Sequence, residues 1–167
     1  MVQASALSGC VAISLGRERP TTHVLGADVS PEALAVAAEN ALRLGAYNVG
    51  LVLSDLFAAL RPDAHRFDLI TANPPYIAAG EIPSLSVDIR AYEPHLALGG
   101  GADGLDFLRR IIAGAPAFLA ADGALAVEIG SDQGRAVQDL FAAAGYRDVS
   151  LQRDYGGLDR VVSGRRP

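Results

Sequence analysis

The stretch Phe67-Asp68-Leu69-Ile70-Thr71-Ala72-Asn73-Pro74-Pro75-Tyr76 decides how this chain reads. Its first six residues form an apolar run of strand length, with the composition of a strand buried on both faces. Two prolines then halt it, because neither can donate to a sheet ladder. A polar amide, Asn73, is left at the strand's carboxyl end. In open α/β sheets that edge is where ligands bind, and an Asn there offers one acceptor and two donors on a short arm. Asn-Pro alone would equally suit a polar turn behind a core strand. The whole tetrapeptide in this setting is more specific.

Outward from this stretch, strand and helix patterns alternate. Residues 23–27 read as a short apolar strand ending at Asp28, and Ser30-Pro31-Glu32 opens a helix with an N-cap candidate and Pro at the first helical position. That helix shows Leu34, Ala37, Ala38 and Ala41 on one face and stops at Gly45. Residues 49–53 are a further strand, ending at Ser54-Asp55-Leu56-Phe57. After a long irregular connection, Leu105, Leu108, Ile112 and Ala115 mark a helix by their spacing. Asp122-Gly123 is expected to turn the chain into a strand over 124–129. A helix over about 133–144 carries Val137, Leu140, Phe141 and Ala144 and closes at Gly145. Two last strands, near 147–152 and 160–163, are joined through Tyr155-Gly156-Gly157. The pattern predicts an α/β fold with a mostly parallel sheet, helices on both faces, and an antiparallel last strand made by the final hairpin. Gly99-Gly100-Gly101 lacks the Lys and Ser/Thr of a phosphate loop and reads as a mobile surface turn.

Composition narrows the function classes. The chain has 167 residues, half of them hydrophobic, which suits one domain over residues 1–167. All 14 basic residues are Arg, the net charge is −5, and no basic cluster offers a footprint for duplex DNA, so nucleic acid is a disfavoured partner. A single cysteine, Cys10, excludes an internal disulfide, and His23, His65 and His95 are too scattered for a metal site. With no leader pattern and no apolar run of spanning length, the default expectation is a cytoplasmic protein without membrane contact.

Asn-Pro-Pro-Tyr behind a buried strand resembles the S-adenosylmethionine-dependent amino-methyltransferases, which methylate a planar nitrogen of a base amine or a side-chain amide. The lone pair of such a nitrogen is delocalised, which makes it a poor nucleophile. The resemblance implies that the Asn73 side-chain oxygen and the Pro74 carbonyl accept the two N–H bonds and orient the nitrogen. Tyr76 would be a flat wall against the planar group. Two acidic residues sit where the cofactor needs them. Asp28, at a strand end, can accept the ribose hydroxyls, and Asp55, at the next strand end, can accept from the adenine amine, although Ser-Asp is also ordinary turn chemistry.

The resemblance extends to a family. Residues 27–34, Ser54-Asp55-Leu56-Phe57, residues 67–77, Tyr92-Glu93-Pro94-His95-Leu96-Ala97-Leu98 with the glycines that follow, Glu128-Ile129-Gly130, and Asp154 through Val162 are similar to the HemK/PrmC-type glutamine methyltransferases of peptide-chain release factors. That family implies a Rossmann-like class I sheet, S-adenosylmethionine as cofactor, and a release factor as protein substrate, methylated on the Gln amide of its Gly-Gly-Gln loop. On this analogy Asn73, Pro74, Pro75 and Tyr76 hold the target amide. Asp28 takes the ribose, Asp55 and Leu56 the adenine, and Ser8 and Gly9 the end of the cofactor loop, and Asn73 borders the cofactor as well.

The front of the chain departs from that pattern. Where the family has an Asp-x-Gly-x-Gly-x-Gly loop, this chain reads Gln3-Ala4-Ser5-Ala6-Leu7-Ser8-Gly9, and only the last glycine remains. The first strand is expected to be largely missing, reduced to residues 1–3 at most, and the family's N-terminal helical domain is expected to be absent. A catalytic domain shortened at its front would be marginally stable or rescued as a homodimer. Two further readings follow. One keeps the chemistry and changes the target to a ribosomal-protein glutamine or a nucleic-acid base amine; the other is an inactive remnant or interaction module with a broken cofactor loop. Glu93-Pro94 is read as a buttress of the substrate loop, and Arg160 as the partner of a neighbouring carboxylate.

Overall fold

The computed structural model describes residues 2–4, 9–62, 64–84 and 99–167. Its elements run β1 (Val2–Ala4), α1 (Cys10–Glu18), β2 (Val24–Asp28), α2 (Pro31–Arg43), β3 (Val49–Leu53), β4 (Phe67–Ala72), α3 (Asp106–Gly114), β5 (Leu119–Glu128), α4 (Gly134–Ala143), β6 (Arg147–Arg153) and β7 (Asp159–Arg165). Seven strands form one sheet in the order β3-β2-β1-β4-β5-β7-β6. The pairings among β1 to β5 are parallel. The last strand, β7, is inserted between β5 and β6 and runs antiparallel to both, as the closing hairpin requires.

The first strand is three residues long, and those three residues lie at the centre of the sheet. Val2, Gln3 and Ala4 pair with Leu25, Gly26 and Ala27 on one side and with Ile70, Thr71 and Ala72 on the other. Its short ladder joins the two halves of the sheet.

The local signals act as their chemistry dictates. Ser30 caps α2 by accepting from the Ala33 N–H at 3.1 Å, with Pro31 at the first helical position. Gly45 and Gly145 follow α2 and α4 with φ of 70° and 79°, the left-handed geometry that ends a helix with little strain in glycine. The face that α2 buries is built on Ala37 and Ala41; Ala38, expected on it, is exposed. The Asp122-Gly123 turn is also corrected. It lies within one strand, Leu119–Glu128, where pairing jumps from Phe67↔Leu119 to Leu69↔Ala124 and Asp122 adopts φ 59°. A bulge of this kind shifts register without ending a strand.

Packing differs between the two halves. The larger core lies under β4, β5 and β7, where Ile70, Leu125, Val127 and Val162 meet Leu108 and Ile111 of α3 and Val137 and Phe141 of α4, all fully buried. Among the described residues the buried cluster at β2 and β3 is smaller, comprising Ile13, Ala41 and Ala46 with Val49 against it, beside the buried Ala12, Val24, Ala27 and Ala37.

Candidate functional site

Strand register builds the site. Ala4 pairs with both Ala27 and Ala72, Ala27 pairs with Val52, and Ala72 pairs with Val127, so these five residues form one row across the sheet. The next residue on each described strand stands on the sheet's carboxyl lip: Leu53, Asp28, Asn73 and Glu128. With parallel strands roughly 4.8 Å apart, Asp28 and Asn73 stand about 10 Å from each other across the end of β1, and Glu128 one spacing beyond Asn73. Three polar groups therefore meet at one edge, where the sequence pattern located the ligand.

On the β2–β3 side, a crevice of about 440 Å³ is lined by Val29, Leu53, Ser54, Asp55, Ala58 and Ala59. Val29 and Leu53 are more than half exposed, at 57% and 54%, which leaves apolar surface available to a flat ligand. Asp28 ends β2, and its Oδ1 accepts the Ser30 N–H at 2.8 Å. Buried Ser54 shapes the floor: its hydroxyl donates to the Leu56 carbonyl at 2.9 Å and accepts the Ala59 N–H at 3.0 Å. Within that turn Leu56 takes φ 51°, an uncommon conformation for a branched side chain, and packs against the larger core. Asp55 forms an exposed ion pair with Arg110 of α3 at 2.7 Å. Gly9 caps α1 at φ 74°. A Cβ there would come within 2.9 Å of Ile13 Cδ1 and 3.0 Å of Ala37 Cβ, so its missing side chain lets α1 and α2 approach. Ser8 lies outside the described residues, as do Glu93 and its proline.

Asn73 follows the last residue of β4 and is half-buried. No hydrogen bond joins its side chain to another described residue, and its amide is not among the buried polar atoms left without a partner. Pro74 is buried, while Pro75 and Tyr76 are half-buried. The loop rests on the glycine-rich segment, and here the expected mobile surface turn is corrected. The Gly100 N–H donates to the Ile77 carbonyl at 2.8 Å, and the Ala79 N–H donates to the Gly101 carbonyl at 2.9 Å. Gly100 and Gly104 are buried. A Cβ on Gly100 would lie 2.8 Å from the Pro75 oxygen, and one on Gly104 only 2.3 Å from the Tyr76 oxygen. These glycines are small because another backbone passes close by.

Beyond Tyr76 opens a second cleft, of about 290 Å³, lined by Tyr76, Ile77, Glu81, Gly130, Ser131, Asp132 and Arg160. The Tyr76 hydroxyl is pushed above the usual phenol range, first by burial and then by the negative Glu128, with Arg160 opposing. It is therefore a neutral donor at physiological pH. Arg160 is held by Asp154, Nε to Oδ2 at 2.9 Å, and that carboxylate also accepts the Gly156 and Leu158 N–H groups at 2.8 and 3.0 Å. The Arg160 hydrogen bond, then those N–H groups, holds Asp154 below the usual carboxylate range. The Asp154-to-Arg160 motif thus folds the β6–β7 turn and aims a cation at the cleft.

The structure brings Asp28, Asn73 and Tyr76 to one edge, with Asp55 and Leu56 on the adjoining turn. Sequence reasoning missed Ser54, Gly100, Gly104 and Gln133. Gln133 has no motif of its own; its one signal is a position between Gly130 and the start of a helix.

Solved structures that share this sheet include methyltransferases, and the fold is theirs. A ribosomal protein L11 methylase from Lactobacillus delbrueckii subsp. bulgaricus superposes with TM-score 0.70 at 22% identity, over 99% of this chain and 69% of that one. A methyltransferase from Pyrococcus furiosus gives 0.71 at 14% identity, over 99% and 74%. The chain belongs to the methyltransferase small domain family, whose pattern matches residues 5–91. It is 53% identical over 161 residues to the release factor glutamine methyltransferase of Cereibacter sphaeroides, 44% over 158 residues to that of Geobacter sulfurreducens and 48% over 155 residues to that of Moorella thermoacetica. These alignments cover 96%, 95% and 92% of this chain and 57%, 55% and 54% of the relatives, so the chain spans a little over half their length. The family resemblance read from the sequence is borne out. Among the described residues no helix is long and apolar enough to cross a membrane.

Proposed function

We propose that this chain is the methyl-transferring domain of a release factor glutamine methyltransferase: it binds S-adenosylmethionine and methylates the side-chain amide nitrogen of a glutamine in a protein substrate, a release factor, in the cytoplasm. The observation that carries the reading is Asn73, on the carboxyl lip of β4 level with Asp28, its amide unengaged by any described residue.

The residues of the β2–β3 crevice fit an adenosine. Val29 and Leu53 offer apolar surface to the base, Asp55 an acceptor for its amine, and Asp28 acceptors for ribose hydroxyls. S-adenosylmethionine supplies, when bound, an electrophilic methyl on a sulfonium that leaves as a neutral thioether. The chain's own part is orientation. The Asn73 side-chain oxygen and the Pro74 carbonyl each accept one N–H of the glutamine amide, which fixes the amide plane so that the nitrogen's electrons face the crevice. As the N–C bond forms, positive charge develops on the nitrogen, and the same two oxygens stabilise it. The nitrogen then gives up one proton to water and the product is the N-methyl amide. Pro74 and Pro75 have fixed φ, and a residue ahead of a proline is restricted as well, so the Pro74 carbonyl is set before the substrate arrives. Tyr76 walls the site.

The test is transfer of labelled methyl to a release factor together with calorimetry of S-adenosylmethionine binding. Asn73→Ala should lower kcat about 10²–10³-fold, far more than it lowers cofactor affinity. Transfer undiminished by this substitution would sink the reading.

A further inference from the structure

The geometry points to Gln133 as the positioning residue of the acceptor loop, an inference that rests on the function proposed above. Gln133 stands at the N-cap of α4, just past the end of β5. Its side-chain amide is used at both ends. Oε1 accepts the Gly130 N–H at 3.0 Å, and Nε2 donates to the Tyr76 carbonyl at 2.9 Å and to the Gly104 carbonyl at 3.4 Å. One side chain therefore ties together the end of β5, the Asn73-to-Tyr76 loop and the glycine-rich loop beneath it, three segments far apart in sequence.

The bond matters because of where the carbonyl sits. Tyr76 is two residues past Pro74, whose carbonyl is a proposed acceptor, and Pro75 between them has a fixed φ. Releasing the Tyr76 carbonyl would free the short segment that carries the Pro74 oxygen to shift against the glycine-rich loop, and displacements of about 1 Å in a reacting arrangement can cost 10²-fold in rate. Only a side chain with both an acceptor and donors at this reach makes the full set. An ionised Glu keeps the acceptor for Gly130 and loses both donors; Met keeps the length and loses everything polar. Gly104 completes the contact, because a Cβ there would lie 2.6 Å from Gln133 Nε2 and 2.3 Å from the Tyr76 oxygen.

The experiment compares Gln133→Glu and Gln133→Met with the unsubstituted chain in two measurements. In steady-state methyl transfer to a release factor, both variants should lose kcat by tenfold or more with KM for S-adenosylmethionine within twofold. In amide hydrogen exchange, which needs no activity, the Gly100 and Ala79 amides, which bond the acceptor loop to the glycine-rich loop, should exchange at least tenfold faster in both variants. The Asp154 amide in the β6–β7 turn should not change. Unchanged kcat, or acceleration spread evenly over all amides, would overturn the positioning role and leave Gln133 a general contributor to stability. If the unsubstituted chain transfers no methyl to any release factor, the proposed function fails, and exchange at Gly100 and Ala79 still decides whether the clamp exists.

Discussion

The Asp28 carboxylate accepts the main-chain N–H of Ser30 at 2.8 Å, so the residue that ends β2 also shapes the entry to α2. The two roles separate by substitution. Asn keeps an oxygen able to accept from Ser30 and loses the charge, whereas Ala loses both. Asp28→Asn should change unfolding free energy by no more than about 0.5 kcal/mol and Asp28→Ala should cost about 1 kcal/mol, by urea denaturation. Both should weaken S-adenosylmethionine binding by about tenfold or more, the usual scale for losing a hydrogen bond to a charged acceptor.

Gly104 and Gly157 share a backbone conformation and differ in surroundings. Their φ values are 77° and 80°, yet a Cβ on Gly104 would strike the Tyr76 carbonyl while one on Gly157 meets nothing within 4 Å. Gly157→Ala should cost about 1–2 kcal/mol from the left-handed conformation alone and leave methyl transfer intact. Gly104→Ala should cost more and reduce transfer at least tenfold, because the clash displaces the acceptor loop. Thermal melts paired with transfer assays check both.

Asp103 tests electrostatics away from the site. The hydrogen bond from Arg109, then the Leu105 N–H, holds its carboxyl down to about 2, with Arg109 Nη2 2.5 Å from Oδ2. A carboxylate depressed in the folded state contributes stability that is fully present above its unfolded value, near 3.8, and is lost as pH falls through about 2. An NMR titration should show this midpoint, and Arg109→Met should move it back toward 3.8.

Phe141 anchors the larger core. Its ring is fully buried and lies 4.8 Å from that of Tyr146, whose hydroxyl donates to the Ile112 carbonyl at 3.0 Å. Phe141→Ala should cost about 3–5 kcal/mol, measured by denaturant unfolding, with cofactor affinity unchanged wherever the fold persists.

What the sequence made legible was what short-range chemistry controls. The Ser30 cap, the glycine stops and the apolar runs of β3 and β4 announce themselves through spacing and backbone preference. Asp28 and Asn73 were legible because strand ends are visible in the pattern. The Asp55–Arg110 pair spans 55 positions, and Gln133 reaches Tyr76 across 57. No local signal marks either. The glycine-rich segment misled for the same reason: glycine serves a free turn and a crowded one equally well, and only the Pro75 and Tyr76 carbonyls lying against Gly100 and Gly104 tell them apart. At Asp122, Asp-Gly promised a turn ahead of a new strand, and pairing with β4 on both sides turned it into a bulge.

The short central strand bears on how the molecule comes apart. Three residues of β1 join a thick half, with the larger buried cluster, to a thin half whose described cluster is Ile13, Ala41 and Ala46. Asp28 and Asn73 stand on opposite banks of that seam. A ligand gripped from both banks acts as a rivet, and its effect on thermal resistance should fall chiefly on the thin half, which has least holding it in place.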